Sequence, residues 1–302
     1  MMKKAVLNKK RTQDILFCWI LLALPVIQFA IFYIGVNINS FIMVFQRWEV
    51  DTATGLGSYV GNGFGNFKEL YQMLQSHNLF WTTIKNSAIS FVMVTLVGIS
   101  FALIFSLYIF KKYPGAGVFR ILLFAPSILS AAVTVTMFRS FAEGAARELF
   151  NLQDGLLTMA EFPTIIFYNI WIGFGMQILM YSGAMNGIEP SVLEAARLDG
   201  VGPFREFFNI ILPLIFPTIQ TFLVTGTAGL FVNQINYVAF NSIRFGRSMT
   251  LGAYLFVGMQ MDLDNSYAYP VWATFGASMT LVAAPLTLLA RWLLEKYGPS
   301  VE

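Results

Sequence analysis

Six stretches of this chain are each long and apolar enough to cross a lipid bilayer, and nothing else in the sequence limits the fold as strongly. A helix needs about 20 mostly apolar residues to span the hydrocarbon core. The stretches run near 15–45, 84–110, 119–141, 162–185, 214–231 and 271–294. Pro25, Pro126, Pro217 and Pro285 fall within or near them. Membrane helices tolerate such prolines because neighbouring groups re-satisfy the freed backbone. Unbroken runs also argue against a β-barrel, whose strands alternate in hydrophobicity over about ten residues. Only 12% of the residues are charged, about half the share of a soluble domain, so lipid rather than water must cover much of the surface. The expected class is an all-α, polytopic membrane protein with six transmembrane helices.

The run at 248–261 ("SMTLGAYLFVGMQM") is too short to span and is expected to be a packed or interfacial segment. The first run is too long for a signal peptide and has no small-x-small cleavage pattern after it, so it is expected to be a retained span. Cys18 inside that run is expected to be an inert buried thiol. His77, the one histidine, reads as a solvated loop residue. One Cys and one His so far apart give neither a metal site nor a Cys–His catalytic pair. The Gly-rich "GLGSYVGNGFGNF" from Gly55 lacks the Lys-Ser/Thr ending of a phosphate-binding loop and reads as a flexible outer loop.

Orientation follows from Lys and Arg. Twelve lie on one side of this topology: Lys3, Lys4, Lys9, Lys10, Arg11, Lys111, Lys112, Arg120, Arg197, Arg205, Arg291 and Lys296. The other side carries seven, spread over longer loops. The positive-inside rule then puts both termini in the cytoplasm. Residues 1–14 form a cytoplasmic tail, 15–302 the membrane domain, and the connection at about 187–213 faces the cytoplasm.

That connection contains "EAARLDGVGPFREFFNIILP", beginning at Glu194, with five charges among its apolar residues. Each charge at the bilayer centre would cost roughly 2.5–3.5 kcal/mol, so the segment cannot lie in lipid. Ser191 is expected to cap a short helix, with Glu194 three residues on completing a capping box. Gly200 follows Asp199 where a left-handed C-cap belongs. Pro203 then opens a second short helix carrying Phe204, Phe207 and Phe208, and Pro213 precedes the next span. Val192, Ala195 and Ala196 offer a small-residue face. A plain turn needs about four to six residues, so two helices joined at a glycine elbow suggest a docking joint.

The segment resembles the EAA signature of ABC importer permeases: Glu194, Ala195, Ala196, Gly200, Ile210, Leu212 and Pro213 all fall in place. "YPGAGVFRILLFAPSILSAAV" and "NIWIGFGMQILMYSGAMNGIEPSVLEAA" are similar to stretches of carbohydrate importer permeases of the MalF/UgpA-like kind, so the likeness extends over nearly the whole chain. The resemblance implies an ABC type I importer permease fold. It also implies that Glu194, Ala195, Ala196, Asp199, Gly200 and Pro213 couple the chain to an ATPase. The partners implied are a second homologous permease, two ATPase subunits that use ATP and Mg, and an extracellular substrate-binding protein. The chain itself would bind no cofactor, and would sit in a bacterial or archaeal plasma membrane.

Two helix faces are candidates for the substrate path. Asn169, Gly173 and Met176 share one face of the fourth span. Gly226, Gly229, Leu230 and Asn233 share one of the fifth, with Gln234 and Tyr237 just beyond. In maltose-type permeases, the resemblance implies, corresponding faces line the sugar pocket. Close helix packing at glycines is the competing explanation. A solute such as glycerol 3-phosphate is an alternative to a sugar, though the spans show no obvious cation for a phosphate. An ion-gradient transporter would hold ionisable residues at mid-membrane, and these spans hold almost none. Enzyme motifs of the HExxH or GxSxG kind are absent from the sequence.

Overall fold

A computed structural model describes residues 2–76, 79–241 and 243–299, with side chains from Asp14 onward except that of Ser76. His77 lies outside the described residues. Among the described residues, five helices are long and apolar enough to cross a membrane, and a bent pair makes a sixth when taken as one span. The chain divides into two compact units, 1–72 with 264–277, and 73–263 with 278–302.

In the first unit, helix α1 runs Met2–Gln28 and continues through a π-helical stretch to Met43. Its apolar side chains are exposed along the span Asp14–Met43, Cys18 among them. The expectation of a buried thiol therefore fails: the helix is apolar all round because its surroundings are, not because protein encloses it. The Gly-rich segment is no loose loop either. Strands β1 (Gln46–Val50) and β2 (Gly57–Gly61) pair antiparallel. Trp48 packs edge-on against Tyr59 across the pair, 4.8 Å between ring centres. At the turn, Asp51 accepts from Ala53 N–H and Thr54 Oγ1, both at 2.9 Å, and Gly55 takes φ +67°. Helix α2 (Gly65–Ser76) follows, and its Asn66 Nδ2 donates to Val44 and Gln46 carbonyls, each at 2.7 Å.

In the second unit, α3 (Phe80–Phe110) is the second span. The third run is not one straight helix as expected. It breaks into α4 (Ala116–Ile128) and α5 (Ala131–Leu149), bent by 109°. Pro126 deprives the last turn of α4 of an amide donor. Leu129 and Ser130 then become extended, with ψ of 153° and 139°. The fourth span is α6 (Leu156–Asn186), and α7 (Pro190–Leu198) follows it. Helix α8 runs Pro203–Ala228. The second short helix expected before Pro213 is therefore the first turn of the fifth span itself. A π-helical stretch, Phe207–Ile211, lies just ahead of Pro213; such insertions relieve a helix where one hydrogen bond cannot form. Short α9 (Tyr237–Asn241) and α10 (Leu251–Met261) complete the part before residue 264; the last span, α11 (Tyr269–Tyr297), begins in the first unit and runs on into the second at Ser278.

The core of this unit joins α3, α6, α7 and α8. Ile99, Ala102 and Leu103 meet Ile178, Tyr181 and Met185, and Ile211, Ile215 and Ile219 close the cluster.

Candidate functional site

Local chemistry at both ends sets the bounds of α7. Pro190 occupies its first turn, where a missing amide costs nothing, and Glu189 supplies the extended residue before it. Ser191 lies inside the helix and makes no cap; the expected capping box is absent because the helix starts two residues earlier, with Glu189 before its first turn. The other end forms as the sequence requires. Gly200 takes φ +71°. Its amide donates to Arg197 O at 3.1 Å, and Val201 N–H donates to Ala196 O at 3.0 Å. Those two bonds make a Schellman closure, and left-handed geometry there favours glycine.

Leu193 and Ala196, three apart, are both buried, and Leu193 belongs to the core cluster of the spans. Ala196 therefore points into the bundle, whereas Glu194, Ala195 and Asp199 face outward. Leu198 and Phe204 stand out beside them, 89% and 81% exposed. Pro213 sits within α8, away from that surface. One contact had no sequence signal. Lys111 Nζ, just past α3, donates to Glu206 Oε1 at 2.6 Å, with side-chain exposures of 18% and 7%. The sequence carries no sign of the pairing, because 95 positions separate the two residues.

Above this core lies a cavity of about 430 Å³. Gly226, Gly229, Leu230 and Asn233 line it, four of the seven residues expected on a path. Facing them are Ser87, Ser90 and Thr95 of α3 and Gln177 of α6. Among the described residues, none that lines it is charged. Ser90 Oγ and Gln177 Oε1, in the wall of this cavity, are buried and lack a partner, so each keeps an unmet hydrogen-bonding capacity beside it. Sequence reasoning passed over both. A Cβ at Gly226 would overlap the Thr95 side chain, so glycine here permits close approach of α3 and α8.

Asn169, Gly173 and Met176 do not line the cavity. Gly173 has open space above its α-carbon, and Met176 is 58% exposed. Asn169 is buried and fully engaged: Nδ2 donates to Ile165 O and Ile235 O, each at 2.8 Å, and Oδ1 accepts from Asn236 Nδ2 at 2.8 Å. Tyr237 is buried, its hydroxyl donating to Arg244 O at 3.3 Å.

No family model matches the chain. It is 31% identical over 171 residues to the sn-glycerol-3-phosphate transport system permease protein UgpA of Shigella dysenteriae serotype 1 (strain Sd197), covering 51% of this chain and 54% of the relative. Against the maltose/maltodextrin transport system permease protein MalF of Photorhabdus laumondii, identity is 26% over 275 residues, 85% of this chain and 50% of the relative. The chain thus spans about half the length of the curated relatives it matches. Among solved structures, a chain of a bacterial ABC transporter involved in import of the acidic polysaccharide alginate superposes with TM-score 0.72 at 21% identity, covering 96% of this chain and 98% of the other. A second structure of a bacterial alginate ABC transporter, in complex with an alginate pentasaccharide-bound periplasmic protein, gives the same score and identity.

Proposed function

We propose, from the premise that its homologues are the UgpA and MalF permease proteins and its fold that of an ABC importer permease, that the chain is the membrane-spanning subunit of an ATP-driven sugar importer. It pairs with a second, homologous permease and receives solute from an extracellular binding protein. Two separate ATPase subunits hydrolyse ATP with Mg, and one of them docks on α7. Both termini and α7 face the cytoplasm, on the charge distribution given above.

The observation that carries this reading is the construction of α7. Its inner face is fixed in the core of the spans by Leu193, and its outer face exposes Leu198, beside Phe204, with Glu194. Exposed apolar side chains rimmed by charge fit a docking surface. A push on that face moves the buried end with it, because close-packed interiors transmit displacement. Glu194, Ala195, Asp199 and Gly200 are the coupling residues of this proposal, with Ala196 and Pro213 serving from inside the bundle.

The cavity supports a neutral carbohydrate. Hydroxyl and amide groups line it beside Phe91 and Phe222, a mixture suited to a solute with many hydroxyls and apolar ring faces. A phosphate monoester would enter without a cation among the lining residues, which disfavours glycerol 3-phosphate. Co-expression with the ATPase and binding protein tests the proposal. Glu194→Lys should insert normally, lose uptake and lose substrate-stimulated ATP hydrolysis. Full uptake with ordinary ATPase co-purification in that variant would sink it.

A further inference from the structure

The wall of the cavity includes a short irregular segment, 229–236, between α8 and α9. Two consecutive residues in it, Ile235 and Asn236, have positive φ, 48° and 56°. Asparagine tolerates that region; a β-branched isoleucine there is a true outlier. Such a conformation persists only where its surroundings over-determine it. The neighbouring groups do so here. The Asn169 amide grips both residues, donating to Ile235 O and accepting from the Asn236 side chain. Ile235 N–H donates to Asn233 Oδ1 at 2.8 Å, and its side chain is 1% exposed. On the other flank, Thr250 Oγ1 donates to Asn233 O at 2.7 Å. A Cβ at Gly252 would overlap the Val232 backbone, so α10 backs the segment without a gap.

We propose that Asn169 is a positioning residue: its amide holds the left-handed pair Ile235–Asn236, and that pair sets Val232 and Asn233 into the cavity wall. The inference rests on the reading of the cavity as the solute path. It changes the role of Asn169. Both Nδ2 hydrogens and one acceptor site of Oδ1 are already bonded within the protein; the side chain acts through the segment it grips. Gly229, Leu230 and Asn233 then depend on it for their place beside Gln177.

The clamp is needed because Ile235 disfavours its own conformation. Glycine at 235 removes that cost, so the clamp becomes dispensable in an Ile235→Gly background. The experiment uses the transporter complex purified with its partners. Asn169→Leu, close in size and without polar groups, should speed hydrogen exchange of the 229–241 amides about tenfold, the factor set by one left-handed L-residue. Adding Ile235→Gly should bring exchange back to within about threefold of the parent. Unchanged exchange in Asn169→Leu overturns the proposal, and so does a double variant as fast as the single. In vesicles, with maltose as the probe, Asn169→Leu should raise the half-saturating concentration about tenfold while the maximal rate stays within about twofold. A fall in maximal rate alone would mean that the clamp serves folding and not the cavity, and would also overturn it. If the parent takes up no maltose, the choice of sugar fails, while the exchange measurement still decides the clamp.

Discussion

Glu206 and Lys111 allow the joint to be tested quantitatively. The pair lies beside the core cluster and connects the end of α3 to the first turn of α8, so it fixes where the α7 connection leaves the bundle. Removing one member of a buried ion pair costs about 3–5 kcal/mol, because the remaining charge stays desolvated. Here the lysine keeps 18% of its surface in solvent and the carboxylate 7%. Solvent at the lysine end lowers the expectation for Glu206→Gln to about 2–3 kcal/mol. Lys111→Met should cost more, since it strands the more buried group. Lys111→Met with Glu206→Met removes both charges and should return to within about 1 kcal/mol of the parent. In melting of the purified complex, 2–3 kcal/mol corresponds to a fall of roughly 4–10 °C. Substrate-stimulated ATP hydrolysis should fall in both single variants. If Glu206→Gln melts within about 1 °C of the parent, or if the double variant is worse than either single, the argument from an uncompensated buried charge is wrong.

Further predictions are open to direct measurement. Gly200→Val should insert normally but lose substrate-stimulated hydrolysis, at a backbone cost of roughly 1–2 kcal/mol; Gly200→Asn should be milder, and equal behaviour of the two would remove Gly200 as the elbow. Gly226→Leu should destabilise by about 1–3 kcal/mol through overpacking on Thr95, and Thr95→Ala should recover part of the loss, read by melting and by uptake. Gln177→Leu should raise the half-saturating sugar concentration several-fold, since one hydrogen bond is worth about 1 kcal/mol; unchanged uptake at every concentration would exclude Gln177 from the path. At the hairpin turn, the Ala53 N–H and then the Thr54 hydroxyl hold the Asp51 carboxyl below its ordinary value. Its contribution is therefore present above the usual aspartate range and lost as pH falls below about 4. Trp48 fluorescence should report that loss, and Asp51→Asn should abolish its pH dependence.

The sequence by itself determined whatever depends on neighbours along the chain. Long apolar runs settled the class, because a bilayer demands about 20 residues of helix wherever the chain crosses it. The pair Asp199–Gly200 located the Schellman closure, since φ +71° suits glycine irrespective of the rest of the fold. Cap details two residues apart were less legible: Glu189 with Pro190 competed with Ser191, and proline took the first turn. The Gly-rich segment hid a hairpin because pairing, not composition, makes strands. Only the tertiary structure decided the rest. It turned Ala196 inward and Ala195 outward, broke the third run at Leu129 and Ser130, and joined Lys111 to Glu206. It also gave Asn169 to the Ile235–Asn236 turn, 66 and 67 residues away, and left Ser90 and Gln177 facing a cavity with their hydrogen bonds unmade. Helical spacing reports which face a residue shares. What that face meets depends on packing between distant segments, and a linear pattern does not encode that.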